Sequence, residues 1–163
     1  AAAAAAAMAK QSAGLLLYRF AAGGGLEVLL VHPGGPLWAR KDAGVWSIPK
    51  GEYLTGEDPE AVAAREFCEE LGAPAPGPPW VELGEVVQAG GKRVRAWAVE
   101  GDLDTSAVVS NTFDMEWPPR SGRRASFPEV DRAAWTAVDD ARVKLVGGQV
   151  PLLERLLEAL GTV

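Results

Sequence analysis

The chain is 163 residues long, 48% hydrophobic and 23% charged, the balance of one soluble domain large enough to bury a core. A net charge of -6 argues against a nucleic-acid partner held by bulk phosphate attraction, and no apolar run approaches the roughly 18 residues of a membrane span. The single cysteine, Cys68, excludes an internal disulfide and a cysteine-based metal site, in keeping with a cytoplasmic protein.

The alanines from Ala1 to Ala7 lack the basic start and cleavage pattern of a signal peptide, so residues 1–9 are set aside as a disordered tail. Residues 10–163 read as one domain, with no internal repeat and no dividing linker. Ser12 to Phe20 and Glu27 to His32 form apolar runs around a glycine-rich turn, which predicts a hairpin of buried strands. A long loop from Pro33 to Gly44 follows, then a short strand from Val45 to Pro49. Glu82 to Gln88 and Lys92 to Glu100 predict a second hairpin around Gly90-Gly91. Thr112 to Trp117 and Arg132 to Ala137 predict two more strands, separated by a loop from Pro118 to Glu129 rich in proline, arginine and serine. Gln149 to Leu160 predicts a helix whose leucines, Leu152, Leu153, Leu156, Leu157 and Leu160, make one stripe. Covering the sheet is the expected use of that stripe; a homodimer seam is the alternative.

The other predicted helix runs from Pro59 to Leu71, with Asp58 as N-cap, proline at the first position and Gly72 just past the end. Its periodicity predicts an apolar stripe of Ala61, Ala64, Phe67, Cys68 and Leu71, with Glu66, Glu69 and Glu70 on the opposite side. Clustered carboxylates repel one another unless a positive charge is present, and hard oxygen donors suit Mg²⁺ or Mn²⁺. A solvated acidic face is the ordinary alternative for a glutamate-rich helix.

The surrounding residues decide between the two. Gly51, five residues, Glu57, seven residues, then Arg65-Glu66-Phe67-Cys68-Glu69-Glu70-Leu71-Gly72-Ala73 resembles the Nudix box at every fixed position. Ala73 is merely a small choice for the final apolar position. The resemblance implies an α/β fold, the Nudix-type α/β/α sandwich with a mixed β-sheet between helices. It also implies a pyrophosphohydrolase acting on nucleoside diphosphate-X compounds, while charge and hydropathy leave no nucleic acid or membrane partner expected. In that reading Glu66, Glu69 and Glu70 hold Mg²⁺ or Mn²⁺ with help from the Gly51 carbonyl, and Arg65 holds carboxylates in place, among them Glu57.

The family often takes a further carboxylate from a loop before a late strand; Glu129 is the choice, and Glu116 the rival. Lys50, Arg40, Lys41 and Tyr53 are candidate substrate contacts, the first three for phosphate and Tyr53 for stacking on a base. Trp38, Trp117 and Phe127 are further stacking candidates, and Arg120, Arg123 and Arg124 could grip extra phosphates, although a basic loop is the plainer reading. His32, the only histidine, is expected to be structural. Pro49-Lys50-Gly51-Glu52 resembles the box entry of dinucleoside polyphosphate hydrolases. The stretch from Trp80 to Lys92 contains neither the proline usual in ADP-ribose pyrophosphatases nor the tyrosine frequent in the former group. Dinucleoside polyphosphates therefore rank first, then nucleoside triphosphates, then nucleotide sugars. A catalytically silent nucleotide-binding module is the alternative from another class.

Overall fold

The structure is a computed structural model that describes residues 10–161, so the expected tail at residues 1–9 lies outside the described residues. Strands β1 (Gln11–Phe20), β2 (Leu26–Pro33), β3 (Lys50–Glu52), β4 (Val81–Val87), β5 (Arg93–Glu100) and β8 (Val130–Ala137) form a mixed sheet. Its order is β4-β5-β1-β2-β8, with β3 attached to β1. The only parallel pair among these strands joins β1 to β5; the others are antiparallel. Helix α1 (Pro59–Leu71) covers one face; α2 (Val138–Lys144) and α3 (Val150–Leu160) cover the other. This is the α/β/α sandwich.

The central strand β1 is buried on both faces, which explains its unbroken apolar run. Leu15 and Leu17 face α1 with Val62, Phe67 and Leu71, while Leu16 and Tyr18 face Leu152, Leu153 and Leu156 of α3. Each fully buried leucine or phenylalanine contributes roughly 1.5–3 kcal/mol. The leucine stripe of α3 is thus spent on the sheet. No helix among the described residues is long and apolar enough to cross a membrane.

One departure from a simple hairpin creates the site. β1 and β2 pair only at their turn, through Tyr18–Val28, Arg19–Glu27 and Phe20–Leu26, and then diverge. The segment from Trp46 to Glu52 fills the gap. Ser47 exchanges backbone hydrogen bonds with Val31, Leu15 donates to the Pro49 carbonyl, and Gly51 pairs with Ala13. The expected strand at Val45–Pro49 is therefore only a pair of bridges, and regular pairing begins at Lys50, once Pro49 is passed.

One other expectation is corrected, and one element was not foreseen. Arg124–Pro128 is a strand, β7, which pairs with β6 (Thr112–Glu116) in a separate two-stranded arm. Pro118, Pro119 and Arg120 belong to the turn before it, while Ala125 and Phe127 alternate inward on the arm itself. Helix α2 was not signalled either; it has no side-chain N-cap.

Candidate active site

Helix α1 begins and ends where its capping residues dictate. The Asp58 carboxylate accepts from the Glu60 N–H, and Gly72 adopts φ 74° to donate to the Cys68 carbonyl. Its buried arc, however, is Val62, Ala63, Phe67 and Leu71, rotated from the predicted stripe, and Cys68 is exposed. At about 100° per residue, Glu66 and Glu70 fall within that inward arc rather than opposite it. Arg65 and Glu69 lie toward solvent, each more than 40% exposed. The periodicity template fails because a polar cavity, not the hydrophobic core, takes two turns of the inward face.

That cavity has a volume of about 360 Å³ and is lined by Lys50, Gly51, Glu52, Glu66, Glu69, Glu70 and Glu129, with Ser12, Lys92 and Asn111. Gly51 is required by close approach, since a Cβ there would collide with the Glu66 carboxylate. The Lys50 N–H donates to Glu70 Oε1 at 3.3 Å, tying β3 to the helix. Arg65 reaches Glu57 at 3.4 Å, Glu66 at 3.7 Å and Glu69 at 3.9 Å. Glu57 also accepts the Leu54 N–H at 2.8 Å, the main reason its carboxyl is held below the ordinary range, with Arg65 adding to the effect. The guanidinium thus ties the loop after β3 to two turns of α1.

Glu129 arrives from across the fold on a pinned backbone. Its N–H donates to the Asn111 carbonyl and its own carbonyl accepts the Gly34 N–H. Asn111 and Val109 in turn donate to the Glu69 and Leu71 carbonyls, satisfying orphan acceptors at the end of α1. The arm β6–β7 therefore leaves the cavity at Asn111 and returns at Glu129. Glu116 lies out on the arm, where it accepts the Arg120 N–H, away from the cavity.

The electrostatics are those of a site short of positive charge. Burial pushes the Glu70 carboxyl up to about 8, with Glu66 and Glu129 adding to the rise and Lys50 opposing it. Glu66 is also raised, by burial and then by Glu69. Burial, then the neighbouring Lys92, lowers Lys50. Ser12 Oγ, fully buried at the cavity wall, has no hydrogen-bond partner among the described residues. No three carboxylates among the described residues close on a single point. The donor set nonetheless fits a divalent cation: hard oxygens, excess negative charge, and a glycine backbone drawn against the Glu66 carboxylate. Glu66, Glu69 and Glu70 are the residues that would hold it, with the Gly51 carbonyl.

A second cavity, of about 420 Å³, opens from the first and shares Lys50, Glu70 and Glu129 with it. Apart from those three its walls are mostly apolar, with Val31, Trp38, Val45, Ile48, Val130 and Val146, and Ser47, Gln88 and Gln149 are its further polar groups. Of the sequence candidates, Trp38 lines this space. Arg40 and Lys41 lie exposed on the preceding loop and line neither cavity. His32, fully buried, hydrogen-bonds the Lys41 carbonyl at 2.7 Å and Asp131 at 2.8 Å, so Lys41 serves through its backbone as a loop anchor. Tyr53 packs against the core beneath α1, and Phe127 pairs with Phe113 on the arm. Neither these two nor Trp117 lines either of the two cavities. Sequence reading missed Ser12, Lys92, Asn111, Gln88 and Gln149. Only Lys92 carried any signal, as a cation just past a tight glycine turn.

Comparison with known proteins agrees with this geometry. The NUDIX domain family matches residues 8–156, nearly the whole chain. A C. elegans Ap4A hydrolase in a binary complex superposes with TM-score 0.65 at 23% identity, covering 94% of this chain and 99% of that one. The NUDIX domain of Shewanella oneidensis NrtR, complexed with ADP ribose, gives 0.63 at 17% identity over 93% and 88%. RenU, a Nudix hydrolase from M. Smegmatis, gives 0.58 at 27% identity over 94% and 86%. The chain belongs to the Nudix family. It is a pyrophosphohydrolase of that family, with every fixed residue of the box in place.

Proposed function

We propose that the protein hydrolyses a pyrophosphate bond in a nucleoside diphosphate-X compound, a dinucleoside polyphosphate or nucleoside triphosphate before a nucleotide sugar, and that it requires Mg²⁺ or Mn²⁺. One observation carries the reading: a carboxylate-lined cavity and an apolar cavity meet at Lys50, Glu70 and Glu129. A polyphosphate seated across that junction would have its charged end among metal-binding carboxylates and its nucleoside end against apolar walls. The similarity to an Ap4A hydrolase supports the dinucleoside polyphosphate class, not the identity of its bases.

Divalent ions, when bound, neutralise phosphate charge and lower the pKa of a coordinated water. The chain's own residues do the rest. Glu66, Glu69 and Glu70 are held in one orientation by Gly51, Arg65 and the Lys50 N–H. Glu129, fixed by its backbone, is the base that takes the proton of the attacking water. Lys50 and Lys92 supply fixed positive charge at the cavity wall, and Ser12 Oγ is a spare donor for a phosphate oxygen.

The test is a hydrolysis panel of diadenosine tetraphosphate, nucleoside triphosphates, ADP-ribose and UDP-glucose with Mg²⁺ or Mn²⁺, resolved by chromatography, with Glu70→Gln in parallel. Turnover of one compound that vanishes in the variant is expected. A folded protein that turns over none of them with either metal would refute the reading and leave a nucleotide-binding module.

A further inference from the structure

We infer that the apolar cavity is a nucleobase seat whose reading group is the Gln88 amide nitrogen, set as a donor by the buried Gln149, so that a 6-oxopurine is favoured over a 6-aminopurine. The inference rests on the hydrolase reading only for the location of the phosphates.

The hydrogen-bond assignment leaves no freedom. The Ile48 N–H needs an acceptor, and at 3.0 Å it faces Gln149 Oε1. The other end of Gln149 must then be the amide nitrogen, which donates to Ser47 Oγ at 3.0 Å and to Gln88 Oε1 at 2.9 Å. The Ser47 hydroxyl hydrogen is already directed to the Ile48 carbonyl at 2.7 Å. Gln149 is fully buried and has used all its hydrogen-bonding groups, so it reads nothing itself. What it does is fix the orientation of Gln88. With Oε1 of Gln88 taken, the Gln88 amide nitrogen remains, and no acceptor among the described residues receives its hydrogens.

The backbone around this relay is drawn in tightly. A Cβ on Gly148 would approach the Gln88 Cα to 2.8 Å, so glycine lets the turn before α3 press against the end of β4. Gln88 is further held by donation of its N–H to the Lys92 carbonyl at 2.7 Å. The indole of Trp38 supplies an aromatic wall to the same cavity. A volume of about 420 Å³ lies within the usual range for small-ligand sites, and the opening onto Lys50, Glu70 and Glu129 places the ligand's phosphates at the carboxylates. A donor without a paired acceptor suits a base edge of acceptors, such as N7 with a 6-oxo group. The 6-amino group of an adenine presents a donor to that same nitrogen.

The test is calorimetric binding with Ca²⁺, comparing inosine diphosphate, adenosine diphosphate and pyrophosphate, for the wild type, Gln88→Glu and Gln88→Ala. Gln88→Glu keeps an oxygen for Gln149 and turns the free donor into an acceptor. For the wild type, both nucleotides should bind more tightly than pyrophosphate, with inosine diphosphate ahead by about fivefold, the worth of one neutral hydrogen bond. Gln88→Ala should remove that preference and Gln88→Glu reverse it; the ratio cancels any repulsion between the new charge and the phosphates. Nucleotides binding no better than pyrophosphate would refute the seat, even if the hydrolysis panel succeeds. A base preference untouched by either Gln88 variant would refute the role of Gln88. Because binding is read without turnover, failure of the hydrolase reading leaves this result standing.

Discussion

Burying Glu70 among other carboxylates has a measurable consequence for folding. Its carboxyl is pushed up to about 8, first by burial, whereas an unfolded chain returns it to 4.5. Between those values the folded state binds more protons than the unfolded one, so metal-free stability must fall as pH rises from about 4.5 to about 8. At about 1.4 kcal/mol per pH unit, the gap of about 3.5 units sets a ceiling near 5 kcal/mol, and relaxation around a coupled Lys50 brings the expected loss to a few kcal/mol. Lys50 works in the opposite sense. Its lowered value makes stability rise with pH, in a window ending near its unfolded 10.5. Urea unfolding in chelator from pH 5 to pH 8.5 reads the effect, with Glu70→Gln as the control that cannot ionise. Wild type should lose stability across this range, the variant much less, and Mg²⁺ should restore most at the alkaline end, where the carboxylate is charged. A flat wild-type profile, or an equal slope in the variant, would refute the assignment of Glu70 as the strained acid of the site.

Four further outcomes are expected. Gly51→Ala places a methyl group inside the Glu66 carboxylate, so β3 or Glu66 must move. Overpacking costs about 1–3 kcal/mol, and calorimetric melting should show that loss beside a much larger fall in kcat. Glu129→Gln should lower kcat by about 10² or more as expected for a general base, while Glu116→Gln, out on the arm, leaves it unchanged; equal effects in steady-state kinetics would remove Glu129 from the mechanism. Gln149→Leu leaves the buried Ile48 N–H without its acceptor, and equilibrium denaturation should show a loss of about 1–3 kcal/mol. Chelator should stop turnover while leaving the far-ultraviolet circular dichroism intact, because neither apolar core cluster draws on the cavity carboxylates; unfolding in chelator would instead make the ion structural.

How far the sequence discloses this architecture depends on whether a feature is local. The cap Asp58, the terminator Gly72 and the box spacing are contiguous, so the bounds of α1 and the identity of its carboxylates were legible before any coordinates. The buried strands β1 and β2 were legible for the same reason, as continuous apolar runs. What failed was non-local. Glu66 and Glu70 occupy the inward arc of α1 because a cavity lies beneath them, and a periodicity template scores any inward position as core. β7 was hidden because its inward residues, Ala125 and Phe127, face an arm rather than the main core. Arg40 and Lys41 looked like phosphate contacts by charge and proximity in sequence, yet the hydrogen bond from His32 to the Lys41 carbonyl fixes that loop with both side chains exposed.

The same distinction explains why the box reveals the reaction class more readily than the substrate. The carboxylates sit on one helix and need only its register. The apolar cavity draws on β2, the bridged segment before β3, the end of β4, the turn before α3 and the residue preceding β8. These meet only because β1 and β2 part after three paired residues and let the Trp46–Glu52 segment in. That segment carries Ser47 and Ile48 into the apolar cavity and Gly51 into the carboxylate cavity, with Lys50 shared between them. A substitution that shifts it by one residue would reverse which side chains face each cavity. Substrate recognition and metal binding are therefore coupled through a seven-residue stretch of backbone, and changes in base preference should be sought at Ser47, Gln88 and Gln149, where the phosphate cavity is left undisturbed.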